Sequence, residues 1–250
     1  MGALPVLSRT AIFTLSKIFV SIYQDFMEFE SQEQMAGVTA KSMAQAASGY
    51  AFHLFRDKKF RQLAGFVQLN QMEKDRIFNE LVRAYIILII LIQEAPDLRI
   101  SQELHEYLKG LNKKIPDAYL DNLRELGVES KHLKDWEKLI EMRYKEYAQD
   151  RHEVRATAMK IESSARGGLN MDNLTMIQMS VPVQAVASGC HHHICRGKTE
   201  GYDDLFKYTH RALSRFYVKY RVRAEGGKIT LLTRARVALM RLFGTYNSSN

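Results

Sequence analysis

Tyr85–Ile92 reads YIILIILI and lies within the stretch 72–94, MEKDRIFNELVRAYIILIILIQE. An uninterrupted apolar run of this kind falls well short of the roughly 20 residues a membrane span requires. It therefore predicts a helix buried on all sides, central to a core, running from about Met72 to Glu94. Pro96 disfavours helix in the residue before it and marks the stop.

Helices are predicted on both sides of this one. Ile12, Leu15, Phe19, Ile22, Phe26 and Phe29 keep a three-and-four spacing after a Ser8 cap, giving an amphipathic first helix. Gln32 to Phe55 reads as an Ala-rich second helix whose small residues permit close packing, with Met43, Ala47 and Tyr50 on one face. After Pro96, two short helices are expected near Ser101–Leu111 and Pro116–Leu126, the second ended by Gly127. Ser130 opens a long helix to about Glu162 with Trp136, Ile140, Tyr144 and Tyr147 inward. Met171–Met179 reads as a short helix, and Ser180–Ser188 as a loop or an edge strand weakened by Pro182. Two final helices follow, about Tyr202–Arg223 and Lys228–Tyr246, split by Gly226–Gly227. The expected fold is all-α, a multi-helix bundle with a smaller basic helical C-terminal module. Its neutral body spans 1–165 and the module 171–250, joined by the small, polar linker 163–170, SSARGGLN.

Charge gives the main functional signal. The 250 residues carry a formal +8, and all of it belongs to residues 196–250, which hold 12 Lys/Arg against 4 Asp/Glu. Such asymmetry implies an anionic partner. Lys207, Arg211, Arg215 and Lys219 recur every four residues, one stripe along a helix, opposite Tyr202, Phe206, Leu213, Phe216, Tyr217 and Tyr220. Arg221, Arg223, Arg234, Arg236 and Arg241 widen the predicted phosphate-binding patch, and the planar fork of arginine suits phosphate oxygens. No RNA-recognition, KH, zinc-finger or helix-turn-helix signature is present, so the expectation is backbone binding without sequence readout.

The densest chemistry is Gly189–Thr199, GCHHHICRGKT, read as a charged loop. Cys190, His193 and Cys195 are the candidate zinc ligands, with His210 the nearby residue to complete a site. Gly197–Lys198–Thr199 resembles the tail of a phosphate loop, but that motif needs glycine at 192, where the chain has His192. No nucleophile elbow, HExxH or dinucleotide fingerprint occurs, and no small-molecule substrate is indicated. The stretch Thr39–Gly49, TAKSMAQAASG, is similar to an Ala-rich helix of influenza matrix proteins over eleven residues of biased composition, in the other half of the chain; no family assignment follows from it.

The sequence expectation is thus a non-enzymatic polyanion-binding protein. Its partner is RNA or single-stranded nucleic acid, and/or an anionic membrane surface, in a matrix-like or nucleocapsid-like role with self-association. The alternatives are a metal-binding protein built on the Cys190–Cys195 cluster and a helical interaction adaptor. Two cysteines five apart suit a reducing intracellular setting. The N-terminus has no basic region ahead of its apolar residues, and Val6 breaks the myristoylation pattern that Gly2 begins, so no targeting segment is expected.

Overall fold

The computed structural model describes residues 31–166, 171–198 and 201–227, with side chains omitted at 161–166, 171–176 and 178. The expected helices at 12–29 and 228–246 lie outside the described residues, as do Arg234, Arg236 and Arg241. Seven α-helices are described: α1 (Gln32–Arg56), α2 (Lys58–Leu63), α3 (Gln71–Gln93), α4 (Gln102–Glu125), α5 (Ser130–Arg166), α6 (Met171–Ile194) and α7 (Asp204–Ala224). No strand occurs among these residues, and none of their helices is long and apolar enough to cross a membrane.

Local chemistry starts the helices. Ser31, Asp57, Asn70, Ser101 and Asp203 each sit at an N-cap and accept a hydrogen bond from the backbone N–H three residues on. Each cap satisfies a donor that the first turn cannot, worth about 1 kcal/mol. Asp57 also ends α1, because its extended backbone leaves the helical path before α2 begins.

Helix α3 is the hub, with α1, α4, α5, α6 and α7 all packed against it. From Leu81 to Gln93 every side chain is buried, as the apolar run predicts. On α1 the stripe Ala36, Ala40, Ala44, Ala47 and Ala51 faces this hub and α4, and lets the backbones approach closely. Tyr50 of α1, Tyr85 of α3 and Phe216 of α7 meet ring to ring, with centroids 4.8–5.9 Å apart. The hydrophobic core is continuous from α1 through α7.

Two local expectations are corrected. Residues 102–125 form one helix, not two, with Pro116 inside it. Proline removes one helical hydrogen bond at a cost of about 3 kcal/mol. Leu108, Leu111, Ile115 and Tyr119 keep one buried face in phase across it, and that packing holds the helix together. Likewise Ser180–Ser188 is the middle of α6, with Pro182 within the helix. Val181, Val183, Ala185, Val186 and Ala187 are all buried, so the alternation that suggested a strand is a helix enclosed on several sides. Helix α5 reaches Arg166 and α6 begins at Met171.

Candidate functional site

Helix α7 runs antiparallel to the second half of α1. Tyr208 donates to Asp57 at 2.8 Å near one end, and Tyr220 lies 3.5 Å from the Met43 sulfur near the other. Leu205, Phe206, Thr209, Leu213, Phe216, Tyr217 and Tyr220 form its buried face. Lys207, Arg211, Arg215 and Lys219 are all exposed along the opposite side, as the four-residue spacing predicts. Lys207 has one exposed partner, Asp204 at 3.3 Å, and the Lys219 ammonium lies 5.7 Å from the Tyr50 ring centroid. Arg211 and Arg215 have no carboxylate within ion-pair distance among the described residues.

Two predicted contacts behave differently. Arg223 is exposed at the end of α7 and lies close enough to Tyr50 to act on its hydroxyl. Arg221 is buried: its guanidinium meets Asp97 at 2.9 Å and Glu225 at 2.9 Å, and donates to the Tyr217 hydroxyl at 2.9 Å. It stands eight residues beyond Leu213 and four beyond Tyr217, on the inward face, so it does not share the exposed side of Lys207, Arg211, Arg215 and Lys219. Burial pulls its pKa down, but Tyr217 and Asp97 outweigh that and raise it.

A second group of cations adjoins this face and is absent from the sequence reading. Arg56, Lys58, Lys59 and Arg61, in the segment RDKKFR, are exposed at the junction of α1 and α2, and α2 packs against α7. The one acid there, Asp57, is already engaged. Burial pushes its carboxyl up, but the Phe60 and Lys59 N–H groups and the Tyr208 hydroxyl outweigh this and hold it below the usual range. The local signal was four cations in six residues. It disappears when charge is averaged over residues 1–195.

The Cys–His segment is not a loop throughout: residues through Ile194 belong to the end of α6, and Cys195 begins the turn that follows. This also removes the phosphate-loop likeness, since Gly197 follows a helix end where the motif would open a helix. Cys190 is fully buried, and burial, reinforced by Glu80, pushes its thiol far up. His193 holds Glu146 of α5 at 2.7 Å. Cys190, His193 and Cys195 therefore do not converge: residues five apart on a helix diverge by about 140°. The groups that do meet are His191, Cys195 and Asp203. His210, half-buried, stacks on Phe206 with ring centroids 5.8 Å apart, and burial lowers its pKa.

Around these residues the helices α5 and α6 approach very closely. A Cβ placed on Gly189 would fall 2.1 Å from Cε1 of the buried Tyr147, a distance that real Cβ atoms do not reach, so only glycine fits. Arg76 of α3 donates to the carbonyl oxygens of His193 at 2.6 Å and Ile194 at 2.9 Å, closing the C-terminus of α6. Beside it opens a cleft of about 420 Å³, lined among others by Glu146, Asp150, His191, His192 and Tyr202. Burial, then Glu146 and Glu153, raise the Asp150 carboxyl above the usual aspartate range.

No protein-family model, curated protein or solved structure matches the chain.

Proposed function

We propose that the chain is a polyanion-binding helical protein that holds the phosphate backbone of single-stranded nucleic acid, RNA first, against the outer face of α7. The observation carrying this reading is the row Lys207, Arg211, Arg215 and Lys219, exposed together, in which the two central arginines lack carboxylate partners among the described residues. A hydrated helix face normally interleaves both signs. Here α7 carries six Lys/Arg and the single acid Asp204, which lies in the first turn where the helix dipole favours it. Arg56, Lys58, Lys59 and Arg61 extend the cationic surface onto α1 and α2. Binding of this kind reads backbone charge, not base sequence, and is strongly salt-dependent. A matrix-like or nucleocapsid-like role belongs with this proposal.

The test is fluorescence anisotropy with a labelled single-stranded RNA across a range of salt. Replacing Lys207, Arg211, Arg215 and Lys219 by alanine is expected to flatten the log–log salt slope by up to about 3. The thermal midpoint should barely move, since exposed positions contribute little to stability. Tight RNA binding that the variant leaves unchanged would refute this face as the site. Absence of RNA binding, with salt-sensitive binding to vesicles containing anionic lipid, would replace nucleic acid by a membrane surface.

A further inference from the structure

We propose that His191, Cys195 and Asp203 form a three-ligand site for a divalent cation of zinc type, pinning the end of α6 to the start of α7. The His191 Nε2 atom lies 2.9 Å and 3.0 Å from the two Asp203 carboxylate oxygens and 3.6 Å from the Cys195 sulfur. All three ligand atoms lie within 4.8 Å of one another. The two edges at His191 are close to those of a shared ion. With Zn–N near 2.0–2.1 Å and Zn–S near 2.3 Å, the N···S edge of a tetrahedron is about 3.6 Å and the N···O edge about 3.3 Å. The nitrogen–sulfur edge is already that of a zinc site, and the nitrogen–oxygen edge needs to open by only about 0.3 Å.

The geometry around one atom argues further. His191 Nε2 faces a carboxylate and a sulfur at once, yet a single N–H bond points in one direction. A cation between the three donors satisfies both contacts, with His191 neutral and its proton on Nδ1. A thiolate and a carboxylate supply two negative charges for a divalent ion, and the Cys195 thiol proton leaves to solvent on binding. A mixed thiolate, imidazole and carboxylate set suits zinc better than magnesium or calcium, which prefer oxygen.

The fold supplies the arrangement. His191 lies in the last turn of α6 and Cys195 directly follows its end, with the Cys195 N–H still donating to the His191 carbonyl at 2.9 Å, so the two side chains share one face at the end whose dipole favours positive charge. Arg196 and Gly197 take left-handed backbone, φ 54° and 72°, and begin the reversal of the chain after α6. Asp203 is the N-cap of α7, where Oδ1 also accepts from the Phe206 N–H at 2.7 Å. The nearby positive charge of Arg76 is matched by Glu73 at 3.0 Å. His191 is 2% exposed in its side chain and Asp203 41%, so the open coordination position lies on the Asp203 side, where water completes the set.

The experiment uses the full chain, produced without a histidine tag, stripped with chelator and titrated with Co²⁺ and then Zn²⁺. One Co²⁺ per chain is expected, with a thiolate-to-metal charge-transfer band that Zn²⁺ bleaches. Asp203→Asn retains a good N-cap, so the fold is preserved, and should weaken Zn²⁺ binding at least 10- to 100-fold. Cys195→Ser should abolish the charge-transfer band, whereas Cys190→Ala should keep it. Failure of the folded chain to bind either metal would overturn the site and leave a His191–Asp203 ion pair. A band lost in Cys190→Ala and kept in Cys195→Ser would overturn it as well. RNA binding through α7 is read out separately, so either proposal can fail alone.

Discussion

Arginine serves opposite ends in two parts of this molecule. In the seam between α3 and α5, Arg83 meets Glu80 at 2.7 Å, Arg143 meets Glu80 at 3.3 Å and Glu146 at 3.1 Å, and Glu146 goes on to His193 of α6. Arg83 also lies 4.9 Å over the Trp136 ring. On the outside of α7, Arg211 and Arg215 stand in water without such partners among the described residues. A buried cation must be neutralised, because its desolvation costs more than an isolated charge can recover. An exposed one need not be. The difference separates charge that holds the fold from charge that remains available to a ligand, and composition cannot make that distinction.

The largest expected effect lies in the seam. Glu80→Ala leaves Arg83 and Arg143 facing one another without their shared carboxylate, and should cost about 3–5 kcal/mol in urea unfolding. Burial pushes the Glu80 carboxyl up, but Arg83 and Arg143 outweigh it and hold it below the usual range. Its contribution is therefore fully present above the unfolded glutamate pKa of about 4.3, and is lost as pH falls through the depressed folded value. Unfolding midpoints measured from pH 7 downward should converge for wild type and Glu80→Ala in acid.

Arg221 tests the boundary between the two uses. Although it belongs to α7, it is partnered like the seam, so Arg221→Ala should cost about 1.5–3 kcal/mol while leaving the RNA salt slope unchanged. A slope reduced as much as by loss of an exposed arginine would return Arg221 to the binding face. The smallest of these effects is expected at the close approach of α5 and α6. Gly189→Ala must displace Tyr147 or part the helices, at about 1–3 kcal/mol, with salt-dependent RNA binding retained by the folded fraction.

How far the sequence could be read follows the same contrast. The hub was legible because YIILIILI has no polar side to lose, and α7 because one face is aromatic and the other cationic. Helix α6 was legible only over Met171–Met179; beyond that, a helix buried on several sides has no helical period, and Pro182 carried undue weight. Pro116 misled in the same way, because a local rule was outvoted by Leu111, Ile115 and Tyr119 packed against distant residues. In the Cys–His segment the sequence names Cys190, His193 and Cys195 together, whereas the side chains that meet are those of His191, Cys195 and Asp203. Once the helix runs to Ile194, the four-residue step brings His191 beside Cys195, but Asp203 becomes visible only when α7 folds back. Lys58 and Lys59 were hidden by a neutral total.

The bonds from Arg76 to the end of α6 span 117 and 118 residues of sequence. During synthesis, α3 leaves the ribosome long before the partners that cover it. Val183, Val186 and Cys190 of α6 and Phe216 of α7 belong to the core around it. A nascent chain ending near residue 166 exposes the flank of its most apolar helix, a surface that favours chaperone capture or aggregation. Contacts so distant along the chain also slow folding. The basic helix is thus the last described element to be synthesised, and its aromatic face completes the burial of a helix made more than a hundred residues before it.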